Sequence, residues 1–284
     1  MLPARRNYRA VWLSLFATSM GLMAFLPVLA LYVEERFGIE DPAEVALWSG
    51  LIYGVGPFAA ACLGPVWGAL GDRFGKKRMA VRANLAIAAT TAMMPFASEP
   101  ELLLVMRVLQ GMFAGYVAPA MALVTGHLPR RVHGRFIARL QVAMATGSFV
   151  GPYLGAEVTH WFGRASLFWI ASGFALLAAL RVQIAAVETQ PPPEPERRSF
   201  LREFRAGIGE LLGNRVFAFL LLLVFVMRLG QNMLEPLLSL FVRSLGPPEW
   251  LRRVSDSETL ALDRTIAAAF AVLVIAQWVC TPWW

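Results

Sequence analysis

The chain has 284 residues, 57% of them hydrophobic and only 16% charged, with a net charge of +7. Soluble domains carry roughly a quarter charged residues, so most of this chain cannot be a water-soluble globule, and the lipid bilayer is its expected solvent. The basic surplus sits in short connectors between apolar runs, which marks membrane topology and excludes a nucleic-acid-binding stripe.

Eight apolar segments lie near 10–33, 45–70, 79–98, 102–126, 136–160, 165–187, 216–243 and 265–284. Each approaches the roughly 20 residues that a spanning helix needs. The expected class is therefore an all-α membrane protein. The first segment follows Arg5, Arg6 and Arg9 as a signal peptide would, but it is long, contains Pro27 and leads straight into another span. It reads as the first transmembrane helix. The N-terminus and the connectors after spans two and four carry twelve Lys and Arg, against Arg36 and Arg164 in the alternate connectors. That asymmetry places the N-terminus in the cytoplasm. The opposite side collects Glu34, Glu35, Glu40, Asp41, Glu44, Glu99 and Glu101.

Between spans two and three, Gly68-Ala-Leu-Gly-Asp-Arg-Phe-Gly-Lys-Lys-Arg78 is too short to form a domain. Asp72 is placed to cap a following helix or to meet a helix N-terminus, where the macrodipole favours negative charge. Arg73, Lys76, Lys77 and Arg78 would hold the turn on an anionic leaflet. A topology anchor alone would use the same charges.

Arg107 falls in span four, where an unpaired charge is costly, and no Asp or Glu occurs between residues 102 and 156. Its partner must come from another helix, a backbone carbonyl, water or substrate; snorkelling to the interface is the other reading. In span five, Gly147, Gly151 and Gly155 share one helical face, with Pro152 as a kink. Small residues so spaced let two helices approach closely, as a hinge, a seal against leak, or simple packing.

Residues 188–214 break the alternation. Pro191-Pro-Pro-Glu-Pro195 cannot be helical, and Phe200, Leu201, Phe204, Ile208, Leu211 and Leu212 then recur at helical spacing. An amphipathic surface helix is expected there. The division is a six-span bundle over 1–187, a linker over 188–214 and an incomplete second bundle over 215–284. In span seven, Arg228, Gln231, Asn232 and Glu235 share a face that should point to a bundle interior or cavity. Glu235 is a candidate proton carrier or cation site; a paired polar seam would show the same pattern. Met23, Arg228, Gln231 and Asn232 are candidates to line a cavity. Cys62 and Cys280 read as small core residues, with no metal-site spacing.

The second unit restarts the first. Pro27-Val-Leu-Ala-Leu-Tyr-Val33 aligns with Pro236-Leu-Leu-Ser-Leu-Phe-Val242, Gly38 with Gly246, and Pro65-Val-Trp67 with Pro282-Trp-Trp284. Parallel six-span repeats are a known transporter layout. Two spans of a second six are therefore expected to belong to a protein of roughly twelve, a deliberate eight-span protein being the alternative.

The pattern Gly68, Leu70, Asp72, Arg73, Gly75, Lys76, Lys77 resembles the signature between helices two and three of the major facilitator superfamily. Arg107-Val-Leu-Gln110-Gly111 resembles a motif of its proton-coupled members. Gly147-Ser-Phe-Val-Gly151-Pro152-Tyr-Leu-Gly155 resembles its antiporter motif, with Ala156 where a glycine is usual. Together with Pro27, Leu31-Tyr-Val-Glu34 and Trp48-Ser-Gly50, the resemblance is to twelve-helix drug:proton antiporters, the MdtG-type exporters. It implies the major facilitator fold in a bacterial inner membrane and export of small lipophilic or amphipathic compounds. It further implies a gate latch at the Asp72 turn and a part in proton coupling for Arg107, Gln110 and Gly111, to which Glu235 is added as the candidate carrier read from its place in span seven. The proton gradient would stand in place of a cofactor, with no enzymatic activity, no metal, and the bilayer and a small-molecule substrate as partners of a monomer. A sugar or metabolite transporter of the same fold, and a non-transporting membrane interaction protein, are the alternative functions.

Overall fold

The computed structural model describes residues 2–188, 213 and 215–280; residues 2–3, 217–218, 221, 224–225, 227–236 and 277–280 are described by their backbone alone. Among the described residues the structure is all α, without a strand. Span one is α1 (Leu2–Phe25), which passes through a 3-10 turn at Pro27 into α2 (Leu29–Phe37). Spans two and three are α3 (Pro42–Phe74) and α4 (Lys76–Met93). Span four is divided into α5 (Pro100–Phe113) and α6 (Val117–Thr125). Spans five and six are α7 (His133–Phe162) and α8 (Ser166–Ala185). Span seven is α9 (Arg215–Leu245), followed by the short α10 (Glu249–Val254) and by span eight, α11 (Glu258–Cys280).

Local chemistry sets the ends. α2 stops at Gly38, whose left-handed backbone (φ 64°) is open to glycine at no steric cost. The Asp41 carboxylate then accepts from the Ala43 N–H at 3.0 Å, and Pro42 fills the first helical position, where its missing N–H costs nothing. α1 begins eight residues ahead of the expected 10, because the first turn is tied down. The Asn7 amide donates to Leu123 O (3.1 Å) and Val187 O (2.8 Å) and accepts from Val187 N–H (2.7 Å). Arg6 adds a bond to Ala185 O at 2.6 Å.

The break in span four has a sequence cause. Pro119 has no N–H for the carbonyl four residues back, and its ring collides with that carbonyl, which belongs to Gly115. Gly115 takes φ 94° and residues 114–116 leave the helix. The expectation of one continuous helix over 102–126 is corrected accordingly.

α1 packs against α7 and α8, α4 against α8, α3 against α5, α11 against α7 and α9 against α3. One buried cluster, with Phe25, Tyr32, Ile52, Met94, Leu103 and Phe168, fills the end of the bundle that bears the acidic connectors. Another, with Val11, Leu15, Ala83, Leu123, Leu140 and Val182, fills the basic end. A third joins Leu31 to Val242, Ile266 and Phe270, and so links span one to spans seven and eight. Among the described residues, five stretches are long and apolar enough to cross a membrane: Ala4–Phe37, Pro42–Phe74, Pro100–Thr125, Ser166–Ala185 and Glu258–Ala276. Large apolar side chains such as Phe58, Phe96, Leu177 and Ile184 are exposed on the outside of the bundle, where backbone groups closed within helices can face hydrocarbon. Cys62 is exposed, not in a core, because it lies on the outward face of α3. The linker helix expected within 188–214 and the Pro282-Trp-Trp284 repeat lie outside the described residues.

Candidate functional site

The structure buries Arg107 to 4% exposure, so it does not snorkel. Its partners are main-chain carbonyls of α3: Nε donates to Ile52 O at 3.0 Å and Nη2 to Tyr53 O at 3.4 Å. The reason is Pro57, which lies inside α3 and has no N–H to return to the Tyr53 carbonyl. The guanidinium supplies the missing donor. Nη1 donates to Gln110 Oε1, and Gln110 Nε2 donates to Thr91 Oγ1 of α4 at 2.6 Å. Gly111 completes the arrangement, since a Cβ there would run into the Gly56 carbonyl of α3. Arg107, Gln110 and Gly111 thus join spans two, three and four at one buried polar knot.

Gly147, Gly151 and Gly155 lie against the α1 backbone. A Cβ at Gly147 would sit 2.5 Å from Phe16 O and one at Gly151 2.6 Å from Met20 O; at Gly155 it would strike Ala24 O. Contact partners at 16, 20 and 24 keep step with the glycines because both helices advance about one turn per four residues. Pro152 is buried in the same helix. Ala156, where a glycine is usual, is also buried, at 1% exposure. Met23 is half-buried, with its Cβ near Gly151, so it lies at the α1–α7 contact.

At the charged turn, the structure corrects one expectation. Asp72 does not cap α4: its side chain is 74% exposed and pairs with Lys76 at 3.5 Å. The cap is Glu188, at the end of span six. Its two carboxylate oxygens accept from the Lys76 N–H at 3.2 Å and the Lys77 N–H at 3.0 Å, satisfying donors that a helix start leaves open. Gly75 is required twice over, by φ 97° and because a Cβ would lie 2.6 Å from Glu188 Oε2. Leu70 is half-buried; Gly68, Arg73 and Asp72 are exposed. Sequence reasoning missed Glu188, whose available signal was a lone acid at the end of a span opposite the Lys-rich turn.

Two further side chains hold the span-four break. Trp67 Nε1 donates to Met112 O at 2.6 Å, and Arg82 Nη2 donates to Ala114 O at 3.3 Å. The Arg82 guanidinium lies over the Trp67 ring, 3.4 Å from its centroid, a cation–π contact.

Arg228, Gln231, Asn232 and Glu235 fall on α9, but their side chains lie outside the described residues. Described ion pairs of α9, α11 and the α7–α8 connector close the acidic end. Arg243 of α9 pairs with Glu34 of α2, Arg264 of α11 with Glu157 of α7 (2.7 Å), and Arg164 of the α7–α8 connector with Glu35 and with Asp263 of α11 (3.3 Å).

Helices that traverse a bilayer in a parallel repeat, with irregular backbone only where side chains satisfy it, define a polytopic secondary-transporter fold. The family model described as the Major Facilitator Superfamily matches residues 11–283, and the chain belongs to that superfamily. It is 31% identical over 251 residues to the multi-drug resistance efflux pump PmrA of Streptococcus pneumoniae, covering 88% of this chain and 61% of that protein. It is 28% identical over 242 residues to the multidrug resistance protein MdtG of Citrobacter koseri, covering 85% of this chain and 59% of that one. The chain therefore spans about three fifths of the length of these curated relatives. A bacterial homolog of the human lysosomal transporter Spinster superposes with a TM-score of 0.68 at 17% identity, over 99% of this chain and 64% of that one. The human organic anion transporter MFSD10 superposes at 0.62 and 22% identity, over 71% and 52%. At such identities the likeness is one of fold.

Proposed function

We propose that this chain works as, or within, a secondary-active exporter of small lipophilic or amphipathic compounds, driven by proton antiport through alternating access. Sequence similarity to a protein named as a multi-drug resistance efflux pump and to one named as a multidrug resistance protein carries this reading, because it runs through the Asp72 turn, the Arg107 knot and the glycine stripe. The basic end faces the cytoplasm of a bacterial inner membrane and the acidic end faces outward. Residues 1–187 form one bundle and 215–284 belong to the other, with 188–214 as the linker. The Asp72 turn acts as the latch of the inner gate, and the glycine stripe seals spans one and five against leak. Arg107 sets the bend of span two beside the route, and Glu235 carries the proton, with Arg228, Gln231, Asn232 and Met23 lining the substrate path. The protein acts as a monomer without a cofactor and is not an enzyme.

The test uses everted vesicles, an imposed pH gradient, a lipophilic cation and a sugar. Cation flux that follows the gradient, no sugar flux, and loss of the cation flux in Glu235→Gln are expected. Sugar flux, or an unchanged pH dependence in the variant, would remove the respective part of the proposal.

A further inference from the structure

Arg164 is held between two carboxylates of very different surroundings. Glu35 has a side chain 64% exposed and belongs to span one; Asp263 has a side chain 1% exposed and belongs to span eight. The Glu35 pair lies within the first six spans, whereas the Asp263 pair crosses to α11 of the second unit. Among the described residues, Asp263 is the one acidic residue that is buried. In front of Arg164 opens a cleft of about 520 Å³, lined by Glu34, Glu35, Arg164, Arg243 and Thr259. Behind the ion pairs, Leu31, Val242, Ile266 and Phe270 close together.

We propose that Asp263 is a protonatable latch residue for the acidic end. Ionised, it holds span eight on Arg164; protonated, it releases span eight while Glu35 keeps Arg164 in place for reclosure. The proposal rests on the alternating-access reading, but its test needs no transport. A carboxylate enclosed away from water persists as an anion only beside its cation. One guanidinium shared by two carboxylates leaves the group with a net negative charge, which a single proton cancels. The cleft gives protons a path to Arg164 and Glu35, directly beside the enclosed acid.

The other charged and titratable groups around Asp263 are the Arg264–Glu157 pair and His160 on α7, the Arg243–Glu34 pair between α9 and α2, and the Arg252–Glu258 pair at 3.2 Å beside α10. Their carboxylates have side chains 29–74% exposed, Glu34 the least and Glu258 the most. Water can therefore take the place of their partners, which leaves Asp263 as the acid enclosed with its cation. His160 lies one turn from Glu157 and meets the Trp161 ring edge-on, with ring centroids 5.1 Å apart; it is the rival group for the pH response.

The test measures the distance between spin labels on Phe162→Cys and Val254→Cys, both exposed and one in each unit. The whole chain is used in lipid nanodiscs, with Cys62 and Cys280 replaced by Ser. A single short distance is expected at about pH 8, and at about pH 5 a longer component at least threefold more populated, since acid raises the protonated share of the carboxylate that holds the latch. Asp263→Asn should show the longer component at both pH values, and Asp263→Glu should keep the pH response. His160→Gln should also keep it. A wild-type distance that ignores pH, an Asp263→Asn protein that stays short, or a pH response lost in His160→Gln would each overturn the proposal. If Asp263→Asn does not fold, the wild-type titration and the Asp263→Glu and His160→Gln proteins decide. A chain that opens with acid yet moves no drug would keep the latch and fail the export reading; one that exports drugs at a fixed label distance would do the reverse.

Discussion

α7 meets its neighbours in two contrasting ways. Toward α1 it offers Gly147, Gly151 and Gly155, and the two backbones touch with no room for a side chain. Toward α11 it offers Glu157, which faces Arg264 across an ion pair with both side chains partly exposed. The first contact is held by van der Waals packing and close Cα–H to carbonyl approaches, which water does not replace. The second can exchange its partner for water at small cost. One helix thus carries a face that stays shut and an end that is able to part.

The largest expected effect comes from breaking the shut face. Gly155→Leu drives a side chain into the Ala24 carbonyl, at a cost of about 3 kcal/mol, the upper range for overpacking. A clear fall in the thermal unfolding midpoint in detergent checks it; an unchanged midpoint would mean that α1 and α7 slide apart freely. Next is Arg107→Met, which takes the guanidinium donor away from Gln110 Oε1 and Ile52 O. A loss of about 2 kcal/mol is expected, within the range for an orphaned buried polar group, measured by the same unfolding. The smallest effect belongs to the parting end. Glu157→Gln should change stability by less than about 1 kcal/mol, as exposed ion pairs do, and should lengthen the label distance between residues 162 and 254. A large stability loss would place that pair with the shut face.

The spans were legible because each is an apolar run of bilayer length, and the repeat was legible because a few anchors recur. Gly38 and Gly246 both end their helices at positive φ, 64° and 73°. Glu34 and Arg243, 209 residues apart, occupy the same place in the two copies and pair with opposite charge. The glycine stripe gave away a close helix contact, though not its partner, since nothing on α7 says which backbone fills the gap. Arg107 announced the need for a partner; the answer lay in Pro57, whose vacated carbonyl is visible only when span two is set beside span four. Glu188 was missed for a similar reason: its target, the start of α4, is more than a hundred residues away. The break at Gly115 was readable in principle, from a glycine four residues ahead of Pro119, but the apolar character runs unbroken across it and hid it.

The division of span four has a mechanical consequence. The last turn of α5 and the break that follows it have their carbonyls tethered: Trp67 and Arg82, from the helices on either side of the Asp72 turn, donate to Met112 O and Ala114 O. α5 is also bolted through Arg107 to α3 beside Pro57. A tilt of the turn would therefore reach α5 directly and, along span four, reach α6 only across Gly115. The joint uncouples the two pieces of span four: α5 is tied to the Asp72 turn, whereas α6 is tied through Leu123 O to Asn7 of span one.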